Sequence, residues 1–225
     1  MLTKRRSRTE RSFTGRSASG RRRGAGASLP FLLAGLLILA GCGSSSVEQT
    51  ETIDPETAAE MQRIQAEEDA AMLKAAEEDL VYGRNELALE RLSGIGEPLR
   101  SSTRARLALA EAYLGTGNPT NAYALFHSVV SEPGYGALGL QGLGLSELAL
   151  GREEAAAGFL QQAVSQDASL WRAWNALGRY HDNLEEWAEA ERSYNTALGL
   201  DPDNKSILNN LGISYARQER YPEAE

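Results

Sequence analysis

The sequence repeats with a period of 34 residues, and this period constrains the fold more than any other feature. One column of the period holds only alanine, a second only small residues, and a third only large apolar residues. The columns stay in register over five successive units without a gap. A period of this length is typical of a helical-repeat array. The three columns are Ala88, Ala122, Ala156, Ala190 and Ala224; Ala76, Ala110, Gly144, Gly178 and Gly212; and Leu92, Phe126, Leu160 and Tyr194.

Each unit is predicted to be two antiparallel helices joined by a short turn. The turn falls at a further column, Gly83, Gly117 and Gly151, in which glutamate replaces glycine at Glu185 and Glu219. The small columns let two helix backbones approach closely, and the large columns fill the space between them. One such unit cannot bury its apolar face alone, so neighbouring units must stack.

Composition agrees with a helical, folded protein. Ala, Leu and Glu are abundant, strand-forming residues are scarce, and 42% of the residues are hydrophobic. Residues 1–28 hold nine basic residues and one acidic residue, whereas residues 42–225 hold 14 basic and 30 acidic residues, a net charge of -16. An acidic body argues against nucleic-acid binding, because affinity for phosphates comes largely from Lys and Arg.

The best-formed unit resembles a tetratricopeptide repeat (TPR). It reads WRAWNALGRYHDNLEEWAEAERSYNTALGLDP over residues 171–202, with His181 where the family usually has tyrosine. The resemblance implies an all-α solenoid of antiparallel helix pairs: a degenerate unit over 69–102, units over 103–136, 137–170 and 171–204, and a truncated unit over 205–225. Because the chain stops inside the fifth unit, we expect it to be a fragment. The signature positions that match are Trp174, Leu177, Gly178, Ala190, Tyr194, Ala197 and Pro202.

The segment before the repeats is predicted to contain a leader, a tether and a helix. Residues 29–41, LPFLLAGLLILAG, form a 13-residue apolar run behind a basic segment. This run is shorter than the ~20 residues that a spanning helix needs, and it is typical of a secretion signal. A buried helix of the folded domain is the alternative for this run. The polar residues 42–54 are predicted to be a flexible tether, and residues 55–68 to form a helix that begins at Asp54-Pro55.

Cys42 is the only cysteine of the chain, and it follows the apolar run directly. The sequence LAGC over residues 39–42 resembles the lipobox of bacterial lipoproteins. The resemblance implies cleavage before Cys42, a diacylglyceryl group on its sulfur, and a signal peptide over residues 1–41. Gly43 after the cysteine favours the outer membrane, facing the periplasm, over the cytoplasmic membrane. The arginines at 21–23 also leave open nucleic-acid binding or twin-arginine export.

The first helices of the units carry the candidate partner-binding residues. In TPR proteins these helices line a groove that holds a protein segment. The resemblance implies partner-binding roles for Arg172, Asn175, Arg179, Asn183 and Asn209. Amide and guanidinium groups suit peptide backbone or carboxylate, whereas leucines of the earlier units suit an apolar helix. The corresponding residues of those units are Leu73, Glu77, Leu80, Arg104, Leu107, Glu111, Gln141, Leu145 and Leu148.

Catalytic, metal and cofactor sites lack the necessary residues. His127 and His181 are the only histidines and no second cysteine exists, so a zinc site or a Cys–His nucleophile is incomplete. The motif GYGALG over residues 134–139 matches a dinucleotide fingerprint, but it follows a predicted helix where that fingerprint requires a strand. We therefore predict no catalytic residue, no metal and no cofactor.

The sequence predicts a lipid-anchored protein-interaction scaffold. The segments LWRAWNALGRYHD and LNNLGISYA are similar to TPR lipoproteins of tight-adherence (Flp) pilus assembly, the TadD type. That similarity implies a role in building a pilus or secretion machine. The alternatives are a TPR lipoprotein that serves type IV pili or outer-membrane barrel insertion, and a cell-wall enzyme or its regulator.

Overall fold

The computed structural model describes residues 54–224, and within this range every regular element is helical. The predicted signal peptide, the lipidation at Cys42 and the tether up to residue 53 lie outside the described residues. The helices pair in chain order, each first helix against the second helix of its own unit. They are α1 (Pro55–Val81), α2 (Asn85–Gly94), α3 (Thr103–Gly115), α4 (Pro119–Val129), α5 (Gly136–Ala149), α6 (Glu153–Gln166), α7 (Trp171–Asn183), α8 (Trp187–Leu200), α9 (Lys205–Arg217) and α10 (Tyr221–Ala224), with a 3₁₀ turn at Leu99–Ser101.

The helix pairs stack into an array. The first helices α1, α3, α5, α7 and α9 each contact the next first helix along the chain, so they form one continuous layer. The second helices fill the spaces between neighbouring units, as α2 does with α3 and α6 with α7. The prediction of an all-α solenoid of antiparallel helix pairs is confirmed.

Helix α1 begins with a side-chain cap and is longer than the other helices described. Asp54 Oδ1 accepts a hydrogen bond of 2.8 Å from the Thr57 amide, and Pro55 occupies the first helical position. The helix continues unbroken for 27 residues to Val81, so the predicted helix over residues 55–68 joins the first helix of the first unit. Among residues 54–224, no helix combines the length and the apolar character needed to cross a membrane.

The turn inside each unit has the same backbone conformation in all five units. Gly83, Gly117 and Gly151 have φ of 69°, 77° and 75°, and Glu185 and Glu219 adopt φ of 59° and 61° at the same position. This left-handed region is open to glycine and costs other residues free energy. The turn therefore keeps its left-handed conformation in every unit, even where glutamate replaces glycine and the conformation costs free energy.

A polar pair closes three of these turns. The two side chains lie five residues apart and flank the left-handed position. Asp79 pairs with Arg84 at 2.7 Å and Glu147 pairs with Arg152 at 3.3 Å. In the fourth unit the order is reversed, because His181 Nδ1 lies 2.7 Å from Glu186 Oε2. These three units thus share a side-chain pair at the same two positions, although the residue types differ.

The small and large columns meet inside each unit. The large residues are buried, with Leu160 0% and Tyr194 1% exposed. A Cβ atom added at Gly144 would lie 2.6 Å from Leu160 Cγ, and one added at Gly178 would lie 2.6 Å from Tyr194 Cε1. Both glycines are therefore required by packing, because no side chain fits between the backbone and the neighbouring large residue.

Candidate functional site: a groove along the first helices

The layer of first helices lines a groove with a volume of about 1110 Å³. Residues from α1, α3 and α7 and the first residue of α2 contribute to it, together with the loops before α5 and α9. Apolar side chains and charged side chains both face this groove. The lining residues are Glu77, Leu80, Val81, Asn85, Arg104, Leu107, Ala108, Glu111, Leu114, Gly115, Tyr135, Trp171, Arg172, Asp201 and Asn204.

The apolar part of the groove lies on α1 and α3. Leu80, Leu107 and Leu114 line it and are partly exposed, although each also packs against a core cluster. Tyr135 and Trp171 extend the apolar surface toward α7. A groove lined by partly exposed apolar side chains can hold the apolar face of a partner helix.

Two ion pairs cross the groove. Arg104 donates hydrogen bonds to the carboxylate of Glu77, which joins the adjacent helices α1 and α3 and raises the pKa of the Arg104 guanidinium. Arg172 lies 3.5 Å from Glu111 and joins α3 to α7, which are not adjacent, because α5 lies between them. These two arginines and two glutamates thus pair with one another inside the groove.

The five predicted partner-binding residues have different surroundings. Arg172 lines the groove and pairs with Glu111. Asn175 Oδ1 accepts a 3.0 Å hydrogen bond from Asn210 on α9, and Asn183 donates one of 3.1 Å to Glu153 on α6. The two remaining residues, Arg179 and Asn209, are exposed. Partner binding by these five residues stays a prediction.

Two residues expected to face the groove are buried instead. Leu73 is 2% exposed and belongs to the core between α1, α2 and α3. Gln141 on α5 is 5% exposed, and its Oε1 is buried without a hydrogen-bond partner in the described part of the chain. Helix α5 packs deeply because it is rich in glycine: a Cβ added at Gly142 would lie 2.1 Å from the ring of Phe126. Gln141 does not contribute to the open surface of the groove.

A buried polar cluster joins the last three long helices. Asp182 on α7 accepts hydrogen bonds of 2.9 Å from the Tyr194 hydroxyl on α8 and 2.6 Å from the Ser214 hydroxyl on α9. Burial and the contact with Asp182 raise the pKa of the Tyr194 hydroxyl far above its ordinary value, so Tyr194 is a constant donor. Sequence reasoning missed this cluster, although Asp182 stands in a column otherwise occupied by Leu80, Leu114, Leu148 and Ala216.

The residues discounted for other chemistry lie in structural positions. The GYGALG segment begins in the turn between α4 and α5, where Gly134 has φ of 80°, and continues into the first turn of α5. Within residues 54–224, no three His, Cys, Asp or Glu side chains are arranged to hold a metal ion.

The fold and groove define a helical-repeat array of the TPR type, and the comparisons agree. The tetratricopeptide repeat family profile matches residues 175–225. A thermophilic TPR protein of Thermus thermophilus is similar in structure, with 22% sequence identity, a TM-score of 0.62, and coverage of 69% of this chain and 86% of that one. The MamA protein is similar with 19% identity, a TM-score of 0.50, and coverage of 71% and 87%. No curated protein sequence matches this chain. At these identities the structures support the fold alone.

Proposed function

We propose that this chain is a lipid-anchored scaffold that docks a protein segment in the groove, in the assembly of a tight-adherence (Flp) pilus or secretion machine. The observation that carries the proposal is the groove itself, a continuous layer of first helices that remains open to solvent. Extended concave surfaces of this kind are how stacked-repeat proteins bind other proteins. The anchor places that surface next to a membrane.

The side chains of the groove and of α7 indicate the chemical character of the protein segment that would bind there. The leucines of α1 and α3 suit the apolar face of a helix, whereas the polar groups of α7 suit peptide backbone or a carboxylate. Of these polar groups, Arg172 lines the groove and already has a carboxylate partner, whereas Arg179 is exposed but is not among the lining residues. The partner is therefore a protein segment with an apolar end and a polar end.

Photocrosslinking from the groove tests docking in cells. A photoreactive residue at Leu107 should yield a defined crosslinked product, and one at Trp171, which lines the groove on α7, should yield the same product. The matched control is Asn195, which is exposed on α8 and does not line the groove. A product from Asn195 alone would refute groove docking.

The anchor is supported by the lipobox resemblance at Cys42 and by the arithmetic of acylation. Each buried methylene contributes ~0.8 kcal/mol, so two or more acyl chains hold a protein stably at a bilayer. Cys42→Ser should abolish labelling by radioactive palmitate and release the protein from the outer-membrane fraction, whereas Ser45→Ala should retain both. Continued labelling of Cys42→Ser would disprove the anchor.

The pilus role is supported by the similarity of residues 170–182 and 208–216 to tight-adherence lipoproteins. Deletion of the gene should abolish surface Flp pili and adherence, and expression of the full chain should restore both. Normal Flp pili combined with a defect in type IV pili, in barrel insertion or in cell-wall hydrolysis would assign the scaffold to the corresponding alternative. The docking and anchoring experiments do not depend on this outcome.

A further inference from the structure

One ion pair joins helices α3 and α7, which have α5 between them. Glu111 and Arg172 approach to 3.5 Å across the groove, although their helices α3 and α7 belong to the second and fourth units. Both side chains are half-exposed, at 37% and 39%. Their pairing holds the second and fourth units together over the third.

In the third unit, the residue whose position lies midway between those of Glu111 and Arg172 is Gln141. Glu111 is the ninth residue of its unit and Arg172 the second residue of its own, so a line between them crosses the middle unit near its fifth residue, Gln141. Gln141 is 5% exposed although the same position in the next unit, Asn175, is partly exposed. Its Oε1 has no hydrogen-bond partner among residues 54–224. A buried amide oxygen without a partner is rare, because burial removes its bonds to water.

We propose that the Glu111–Arg172 pair is a strap that closes the groove over Gln141, and that opening of the strap exposes this amide as a hydrogen-bond acceptor. An open strap gives Gln141 a donor from water, or from the backbone N–H of a docked segment. The role in docking rests on the function proposed above, whereas the opening itself does not. Because pairs at this exposure are weak, the strap opens readily, and its loss changes the opening equilibrium by a factor of about 1.5 to 5.

Thiol accessibility at position 141 measures the opening directly. The full chain carries Cys42→Ser and Gln141→Cys, so that the introduced thiol is the only one, and the rate of its reaction with a maleimide is recorded. When reclosing is fast, this rate follows the population of the open form. We expect Glu111→Gln and Arg172→Gln each to raise the rate about 1.5- to fivefold, and about 1 M salt to raise it similarly in the chain with the strap intact.

Two variants serve as controls. Glu77→Gln breaks the other ion pair of the groove, which joins the adjacent helices α1 and α3, and should leave the rate unchanged. The exchanged pair Glu111→Arg with Arg172→Glu should restore the slow rate. Equal rates for Glu111→Gln and Glu77→Gln would overturn the strap.

A second measurement does not depend on substitution at Gln141. Spin labels at Ala124→Cys on α4 and Asn195→Cys on α8, both exposed positions, report the separation of the second and fourth units in the Cys42→Ser chain. The distance distribution should broaden with Glu111→Gln and stay narrow with Glu77→Gln; the same distribution in both would also overturn the proposal. Neither measurement uses a partner, so failure of the strap and failure of the proposed docking are distinguishable.

Discussion

Replacement of Glu185 by glycine should stabilise the array. Glu185 has φ of 59°, and the equivalent positions of the first three units are glycines with nearly the same φ. A residue with a Cβ atom loses roughly 1–2 kcal/mol in this conformation. Glycine regains this free energy but loses about 0.5–1 kcal/mol through its greater freedom in the unfolded chain. The expected net gain is about 0.5–1 kcal/mol.

The structure also supplies the reciprocal experiment. A Cβ atom added at Gly151 meets nothing within 4 Å, so Gly151→Ala tests the backbone conformation without a steric clash. This variant should lose about 0.5–1 kcal/mol, the opposite sign from Glu185→Gly. Comparison of Glu185→Gly with Gly151→Ala therefore separates the effect of the backbone φ from the effect of side-chain packing.

Thermal and urea unfolding, followed by circular dichroism at the helix band, measure both variants. For a folded region of this size the melting temperature should rise by about 1–4 °C in Glu185→Gly and fall by a similar amount in Gly151→Ala. Gly158→Ala, within helix α6 and also without a neighbour in reach of the added Cβ, serves as the control for a glycine outside the turns. A lower melting temperature in Glu185→Gly would refute the argument from the turn conformation.

Three further predictions concern the core, the polar cluster and acid stability. Leu160→Ala should lose about 2–5 kcal/mol in urea unfolding, whereas Leu184→Ala, which is 50% exposed, should change little; equal losses would contradict the assigned core. Tyr194→Phe should lose about 1–3 kcal/mol, because Asp182 keeps only the Ser214 hydroxyl, and Tyr180→Phe should not; an unchanged midpoint would exclude a contribution from the cluster. Burial disfavours the charged form of Asp79, but hydrogen bonds from Arg91 and Arg84 outweigh it and hold the pKa of this carboxyl below its ordinary value. Its contribution to stability is therefore present above about pH 3.9 and is lost as the pH falls through the lower folded pKa. Wild type should exceed Asp79→Asn in urea midpoint at about pH 5, and the difference should shrink toward about pH 2; a constant difference would contradict the assigned pKa.

The helical-repeat architecture could be predicted because the residues that pack together within a unit recur every 34 residues. Leu160 and Tyr194 stand at the spacing that brings a second helix against its partner, and Gly144 and Gly178 stand where those side chains need room. Because these contacts recur in successive units, the same residue types recur at the same spacing. The repeated spacing indicates the contacts from a single sequence.

The groove could be predicted only in part because its contacts are not periodic. The Glu111–Arg172 pair depends on how closely the second and fourth units approach, and that distance reflects the glycine-rich packing of α5. Asn175 likewise has its partner, Asn210, one residue beyond the matching column. The period indicates which helix face is turned toward the groove, but the reach of one side chain to a particular neighbour depends on the curvature of the array.

The polar pairs at the turns bear on how an array of this kind can change length. Each pair, such as Asp79–Arg84 or Glu147–Arg152, has both members in one unit. Duplication or excision of one whole unit therefore moves these turn pairs complete. Glu111 and Arg172 behave differently, because their approach requires one intervening unit. Gain or loss of a unit between them would preserve the fold and separate these two side chains, so the length of the array and the closure of its groove can be altered independently.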